Sequence, residues 1–420
     1  MSVFKNEIYK NSRMREFLFF FFIIFTIIFI FFELKNGRYW QSDFEVYYKS
    51  AKRALLGENL YRPDEDGFYR FKYSPFSAYL FIPFTLFSFT YAKYLYSFFI
   101  SLLMFFNFLY CFLLGSEILI EKLKNKKNIN SYLILVFLFS LLPLGVFYVR
   151  ELHLGQINIL LLFLYIYSFY LLRHNNNMSF FILAISCFIK PYFLIFLMYF
   201  LYQKNIKAVF LTIFSVIFIS FIPLFTYKFK IFIEQNYLWF NELKIEIFRQ
   251  GSVSGDSNIS LFSFIDRYFP ISFNNSIIIK KMFIISLCGL FLVYFFNKTK
   301  ILLSKNLKIF YDFSLLCLFI SLLTSNGKSV YILLLPSIFI ISSVISKYNY
   351  FLIILFSISC AILGLDIGDG GIYTKWIRTY YLLPSSGLIL IICLLISLKK
   401  ANSNYISDPI PLSESLPLTK

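Results

Sequence analysis

Residues 17 to 34 form an 18-residue stretch whose only charge is Glu33, and ten further apolar stretches follow it, separated by short linkers rich in Lys and Arg. Hydrocarbon offers no partner for a peptide N–H or C=O, so stretches of this kind satisfy their backbone internally, as helices. The chain is therefore predicted to be an all-α polytopic membrane protein. Composition agrees: 59% of residues are hydrophobic, 15% are charged and the mean hydropathy is +0.71, far from the balance of a water-soluble domain. In a soluble protein a formal charge of +18 would point to nucleic acid. Here the cations lie in the linkers, where they mark cytoplasmic loops, and no nucleic-acid partner is expected.

Lys5, Lys10, Arg13 and Arg15 precede the first stretch and place the N-terminus in the cytoplasm. No small-residue cleavage site follows the stretch, so it is read as a retained helix. Residues 35–75 then form a first outer loop. Within it, DFEVYYKSAKRALLG has the pattern of an amphipathic helix lying on the membrane, with Ser42 as N-cap and Gly57 as its stop. The segment that follows holds Pro75 and Pro83, is short for a span, and reads as a re-entrant or interfacial hairpin. The stretch 178–202 carries Lys190 and Pro191 at its middle, yet both its flanks look cytoplasmic; a broken hairpin with Lys190 at an outward tip reconciles the two. A second outer loop covers 226–275. Placing every basic linker on one side gives ten firm crossings, or up to twelve if the Pro75 and Lys190 segments cross fully. They make one integral membrane domain over 1–400, followed by a disordered cytoplasmic tail over 401–420.

The threading was set by charge alone, yet it collects Asp43, Lys72, Glu151, His153, Gln156, Lys190, Asp256, Asn258, Arg267 and Lys328 on the outer face. Acidic residues are nearly absent from the spans, which argues against a proton-driven transporter. The six cysteines are scattered through apolar stretches and read as small hydrophobes, and two histidines are too few for a His-based metal site. A cavity of this composition suits sugar transfer from a lipid-linked donor. A carboxylate serves as general base for the acceptor hydroxyl, and cations hold the charge that develops on the departing phosphate. Asp43 is the candidate base. Lys190, Arg267, Lys72 and Lys328 are candidates for the phosphate, and His153, Gln156, Asn158, Asp256 and Asn258 for sugar or acceptor contacts. Each has a structural rival: Asp43 in the first turn of a helix compensates its dipole, Gly155, Gln156 and Asn158 mark a helix break, and Arg267 anchors an interface beside Phe264 and Tyr268.

The order of these motifs resembles a known family. Asp43 with VYY at 46–48, LLGENLY, FKYSPFSAYLFIP, GQIN at 155–158, Lys190-Pro191 and SGDSNISLFSFIDR at 254–267 resemble the bacterial polyprenyl-phosphate-mannose-dependent mannosyltransferases, glycosyltransferase family 87 of the C-type superfamily. The resemblance implies the C-type all-helical fold and an inverting, metal-independent transferase without cofactor, with Asp43 in the place of the family's base. It also implies a polyprenyl-phosphate sugar, mannose first, as donor, a lipid or glycan as acceptor, and a site on the outer face of a bacterial inner membrane. Two stretches depart from the family's pattern: Asp256-Ser257-Asn258-Ile259-Ser260 stands for its Asn-Gln-Ser, and TSNGKSVYILLLP replaces its later Trp and His. The alternatives are an O-antigen polymerase or ligase, whose central loop would be rich in Arg and His, a transporter or flippase, which would show inverted repeats, and a structural membrane protein.

Overall fold

A computed structural model describes residues 12–123, 129–249, 259–268, 277–324, 327–345, 349–365 and 372–407. Among these the chain is helical throughout, without a sheet. The first span, α1 (Ser12–Lys35), is followed by α2 (Ser42–Leu56), the single turn α3 (Pro63–Asp66), α4 (Pro75–Tyr79) and the long α5 (Phe89–Leu114). Then come α6 (Ser116–Leu123), α7 (Ile129–Leu141), α8 (Gly145–Leu154), α9 (Asn158–Arg173), α10 (Met178–Ile189), α11 (Leu194–Tyr202) and α12 (Ile206–Ser220). The remainder is α13 (Phe229–Arg249), α14 (Leu261–Tyr268), α15 (Ile277–Leu302), α16 (Lys305–Leu323), α17 (Leu335–Val344), α18 (Tyr350–Gly364), α19 (Ile372–Thr379) and α20 (Leu382–Ser407).

Seven helical stretches among the described residues are long and apolar enough to cross a bilayer, and five shorter apolar helices accompany them. The protein is a multi-pass membrane protein. Burial sorts the spans: α16 is enclosed along most of its length, whereas α1, α12 and α15 show rows of exposed Phe and Ile, such as Phe20, Ile24, Ile27 and Phe31 on α1. In lipid such rows carry no penalty, so they belong to the rim of the bundle. Rings knit the interior. Phe22 of α1 meets Phe108, Phe137 and Tyr148 at centroid separations of 5.8, 6.0 and 5.6 Å, the last two edge-on.

The charges inside the bundle are paired, as a low-dielectric interior demands. Arg173 of α9 donates to the carbonyls of Leu113 and Leu114 at 2.9 and 2.8 Å and meets Glu117 at 3.2 Å. Ser304 and Asn306 donate to the same Glu117 at 2.7 and 3.0 Å. Asp312 accepts from Lys308, Thr299 and Tyr199 at 2.6, 2.6 and 3.0 Å. These networks clasp one end of the bundle.

Several expectations are revised. Helix α2 does not lie on a membrane with its apolar face: Phe44, Tyr47, Tyr48, Ala51 and Ala54 are buried against the protein, and only Leu55 and Leu56 at its C-terminal end are exposed. Its N-cap is Gln41 rather than Ser42, which is already helical; Gln41 is left-handed (φ 50°), and its side-chain amide donates to Leu152 O, Ser97 Oγ and Tyr39 Oη instead of to the helix. The 226–275 loop contains the 21-residue α13. The last helix runs to Ser407, so the first part of the supposed tail continues it, and residues 408–420 lie outside the described residues. The Pro75 segment forms only short turns, α4 and a 3-10 turn over Ile82–Leu86, in keeping with a segment that does not cross. Phe76 packs edge-on against Phe188, and Ser74 N donates to Phe188 O at 3.1 Å, which ties this segment to the end of α10.

Candidate active site

Lys190 ends α10 in extended conformation (φ −147°, ψ 137°), and Pro191, which cannot continue the helix, starts a short turn that reverses the chain into α11. The far end of α11 returns to the clasped end, where Tyr199 meets Asp312 and Tyr202 donates to Asn297 at 2.6 Å. The stretch is thus a hairpin with Lys190 at its tip. Twelve residues of α10 reach about 18 Å, against about 30 Å of hydrocarbon, so the tip is recessed in the bundle.

The tip meets the start of α9. Lys190 Nζ donates to Asn158 Oδ1 at 2.7 Å, and Asn158 Nδ2 donates to Glu151 Oε1 at 2.7 Å and Gln156 Oε1 at 3.3 Å. Glu151, fully buried, also accepts from Ile159 N at 3.1 Å. The Gln156 amide also acts on the Asp43 carboxylate, favouring its anion. Hydrogen bonds therefore link Gln156 through Asn158 to Lys190, and Asp43 stands beside Gln156, so that residues of three segments distant in sequence meet.

Gly155 makes this meeting possible. It closes α8 in left-handed conformation (φ +70°), and a Cβ there would stand 2.6 Å from Phe44 Cβ and 3.1 Å from Phe44 N. The start of α2 can approach the GQIN turn this closely only because the side chain is missing. Further bonds fix the approach: Gln41 N donates to His153 O at 3.2 Å, Tyr96 Oη donates to Gln156 O at 2.9 Å, and Phe44 stacks on Tyr96 with centroids 4.2 Å apart.

Asp43 is half-buried, and its pKa is raised above the usual 3.8 mainly because it has lost water; the polar Gln156 amide and the charges of Lys190, Arg150 and Lys72 pull the other way. A carboxylate in this setting binds a proton more readily than one in water while three cations keep its anion accessible. Tyr73 and Tyr47 share a hydroxyl contact of 3.2 Å beside it, and Tyr61 donates to Tyr73 O at 2.6 Å.

The predicted residues divide sharply. Asp43, Gln156, Asn158, Lys190 and Lys72 come together. His153 sits on the same turn but its Nδ1 is 2.6 Å from Glu33 Oε2 and its ring faces Trp40, so it joins α8 to α1. Arg267 is exposed near the C-terminal end of α14, and Lys328 is buried at the start of the 3-10 stretch over Lys328–Leu334; neither is among the cations acting on Asp43. Asp256 and Asn258 lie outside the described residues. Sequence reasoning gave no role to Glu151 or Arg150. The available signal was an Arg-Glu pair closing an apolar helix, its carboxylate seven residues before an asparagine.

Compared with known proteins, residues 71–325 match the family model described as glycosyltransferase family 87, which is more than half of the chain. Lys72, Gln156, Asn158 and Lys190 fall within the matched span, while Asp43 and Lys328 fall outside it. No curated protein and no solved structure matches the chain.

Proposed function

The chain belongs to glycosyltransferase family 87, and from that premise we propose that it is an inverting transferase moving a sugar, mannose first, from a polyprenyl phosphate to a hydroxyl of a lipid or glycan acceptor. The observation that carries the reading is the gathering of the Asp43 carboxylate and the Lys190 ammonium about one polar cluster, in which Lys190 is bonded to Asn158 and Asn158 to Gln156. In one displacement the acceptor oxygen bonds to the anomeric carbon from the face opposite the phosphate. Its proton goes to Asp43, the carbon–oxygen bond to the phosphate breaks, and the bonding pair leaves on the phosphate oxygen. A single displacement inverts the anomeric centre.

Lys190 has three N–H donors, and one is spent on Asn158, so it holds a phosphate oxygen with the others; Lys72 adds a second charge nearby. Asn158 is better read as a positioning residue than as a sugar ligand. Its amide already serves Lys190, Glu151 and Gln156. A phosphate held at the recessed tip would lie below the rim, where an isoprenoid tail can leave directly into lipid between spans. Charge supports an outward-facing site: Lys204, Lys298, Lys300 and Lys305 gather near the clasped, opposite end, the pattern of a cytoplasmic face.

The test is transfer from radiolabelled polyprenyl-phosphate sugars into membrane lipids and glycans, comparing wild type with Asp43→Asn at equal expression and with chelator present. One sugar should be transferred, and the variant should lose on the order of 10²–10⁴-fold in rate, the usual share of a general base. Undiminished transfer by the variant removes Asp43 from the mechanism, and absence of transfer by wild type from every donor refutes the donor class.

A further inference from the structure

The helix that carries the proposed base also lines a cavity. A cleft of about 350 Å³ runs along the other face of α2, between that helix and the turn that carries α3. Its floor is a two-bond pair: Arg53 donates to both oxygens of Asp66 at 2.5 and 2.7 Å, with each side chain only 15% exposed. Glu45 and Lys49, paired at 2.7 Å, form one wall and Ser42, joined directly to Asp43 in the chain, stands at the end nearest the base. Two large rings, Trp40 and Tyr69, line the cleft and remain 60% and 57% exposed.

This combination has a specific chemistry. Its three carboxylates and two cations nearly cancel, so the cleft is no phosphate or polyanion site. It offers closely alternating donors and acceptors, as a polyhydroxylated ligand needs, and its volume falls in the range of roughly 300–1,000 Å³ usual for small-ligand sites. Exposed Trp and Tyr rings supply flat apolar faces with wet edges, which match the C–H faces of a pyranose. The Trp40 indole N–H is held by Gly37 O at 3.1 Å, which fixes the ring, and the His153 ring lies on one side of it at a centroid separation of 5.6 Å.

We infer that this cleft binds an uncharged sugar chain, the glycan acceptor, and presents its terminal hydroxyl toward Asp43. The inference rests on the proposed function for its purpose but not for its test. The rings could alternatively serve as anchors at a membrane surface, which predicts no sugar binding.

The purified full-length protein in detergent is titrated, without donor, with a panel of short neutral oligosaccharides of mannose, glucose and galactose, and binding is read by saturation-transfer NMR and calorimetry. At least one should bind, and Trp40→Ala and Tyr69→Ala should each weaken it about tenfold or more, as loss of an aromatic contact centre does. Asp43→Asn should bind normally. Trp40→Phe, which keeps a ring, guards against loss of folding and should retain most of the affinity. Failure of every oligosaccharide to bind, or binding unaffected by both ring deletions, overturns the cleft. Binding by a protein that transfers from no polyprenyl-phosphate sugar in the transfer assay leaves the cleft standing and refutes the donor reading alone.

Discussion

Gly155→Ala tests whether the site is assembled by close approach of backbone rather than by the side chains that do the chemistry. The substitution acts twice. A residue with a Cβ held at φ +70° costs about 1–2 kcal/mol. The new methyl also lies 2.6 Å from Phe44 Cβ and 3.1 Å from Phe44 N, against an ordinary contact of 3.4–4 Å. Phe44 cannot yield by rotating, because the clash is with its Cβ and backbone, and its ring is stacked on Tyr96. The start of α2 must move by about 1 Å, and overpacking of this kind costs about 1–3 kcal/mol. The total is about 2–5 kcal/mol. Since Asp43 precedes Phe44, the displacement carries the base away from Gln156, and a misplacement of about 1 Å at a reacting group costs on the order of 10²-fold in rate.

The assay is thermal unfolding of the purified protein together with transfer activity in membranes. Gly145→Ala is the control: that glycine is in right-handed helical conformation (φ −56°) with open space where a Cβ would stand, so alanine there should stabilise by about 0.5–1 kcal/mol and leave transfer alone. A Gly155→Ala protein with wild-type unfolding temperature and wild-type transfer refutes the close-approach argument. So does equal damage from Gly145→Ala, which would mean that any added methyl in this segment is harmful.

Two further outcomes follow from the charges. The folded Asp43 carboxyl keeps its proton to a higher pH than the unfolded chain does, so its contribution to stability is full below the unfolded value and is lost as pH rises through the raised folded value. Asp43→Asn should therefore unfold no lower than wild type at pH 7, and the gap in its favour should close as pH falls toward 4, measured by thermal scans across pH; the wild-type transfer rate should fall over the same acid range as the base is protonated. At the clasped end, Arg173→Met leaves Glu117 buried without its cation and the carbonyls of Leu113 and Leu114 without a donor, a loss of about 3–5 kcal/mol. Glu117→Gln should cost less, because Ser304 and Asn306 can still bond an amide oxygen, and comparable unfolding temperatures for the two variants would count against this account.

Apolar length and basic linkers made the fold class legible, because a bilayer imposes one thickness on every span. The hairpin at Lys190 was legible for the same reason: a lysine at the middle of an apolar stretch between two basic flanks admits few placements, and the structure has it as a tip bonded to Asn158. The amphipathic pattern of α2 was also readable, but the pattern gives a face and not its partner. An apolar face buries equally well against lipid or protein, and only the tertiary fit of Phe44 to Tyr96 and Phe84 decides for protein.

What stayed hidden was the pairing between segments. His153 and Gln156 stand three residues apart on one turn, yet a left-handed glycine lies between them and sends the two side chains in different directions, one to Glu33 and the other to Asp43. Residue type argued for both alike. The same turn explains why Glu151, though placed on the outer face, was given no role of its own: it holds Asn158 and Ile159 N across that turn, a role with no sequence motif. Asp43 falls outside the part of the chain that matches the family, and Lys190 falls inside it. The polar path between them, through Gln156 and Asn158, is therefore the ground on which Asp43 is proposed as the base. If Gln156→Ala, which cuts that path while leaving both charges in place, lowered transfer no more than a distant surface substitution, the path would be scaffolding and Asp43 would have to be justified anew.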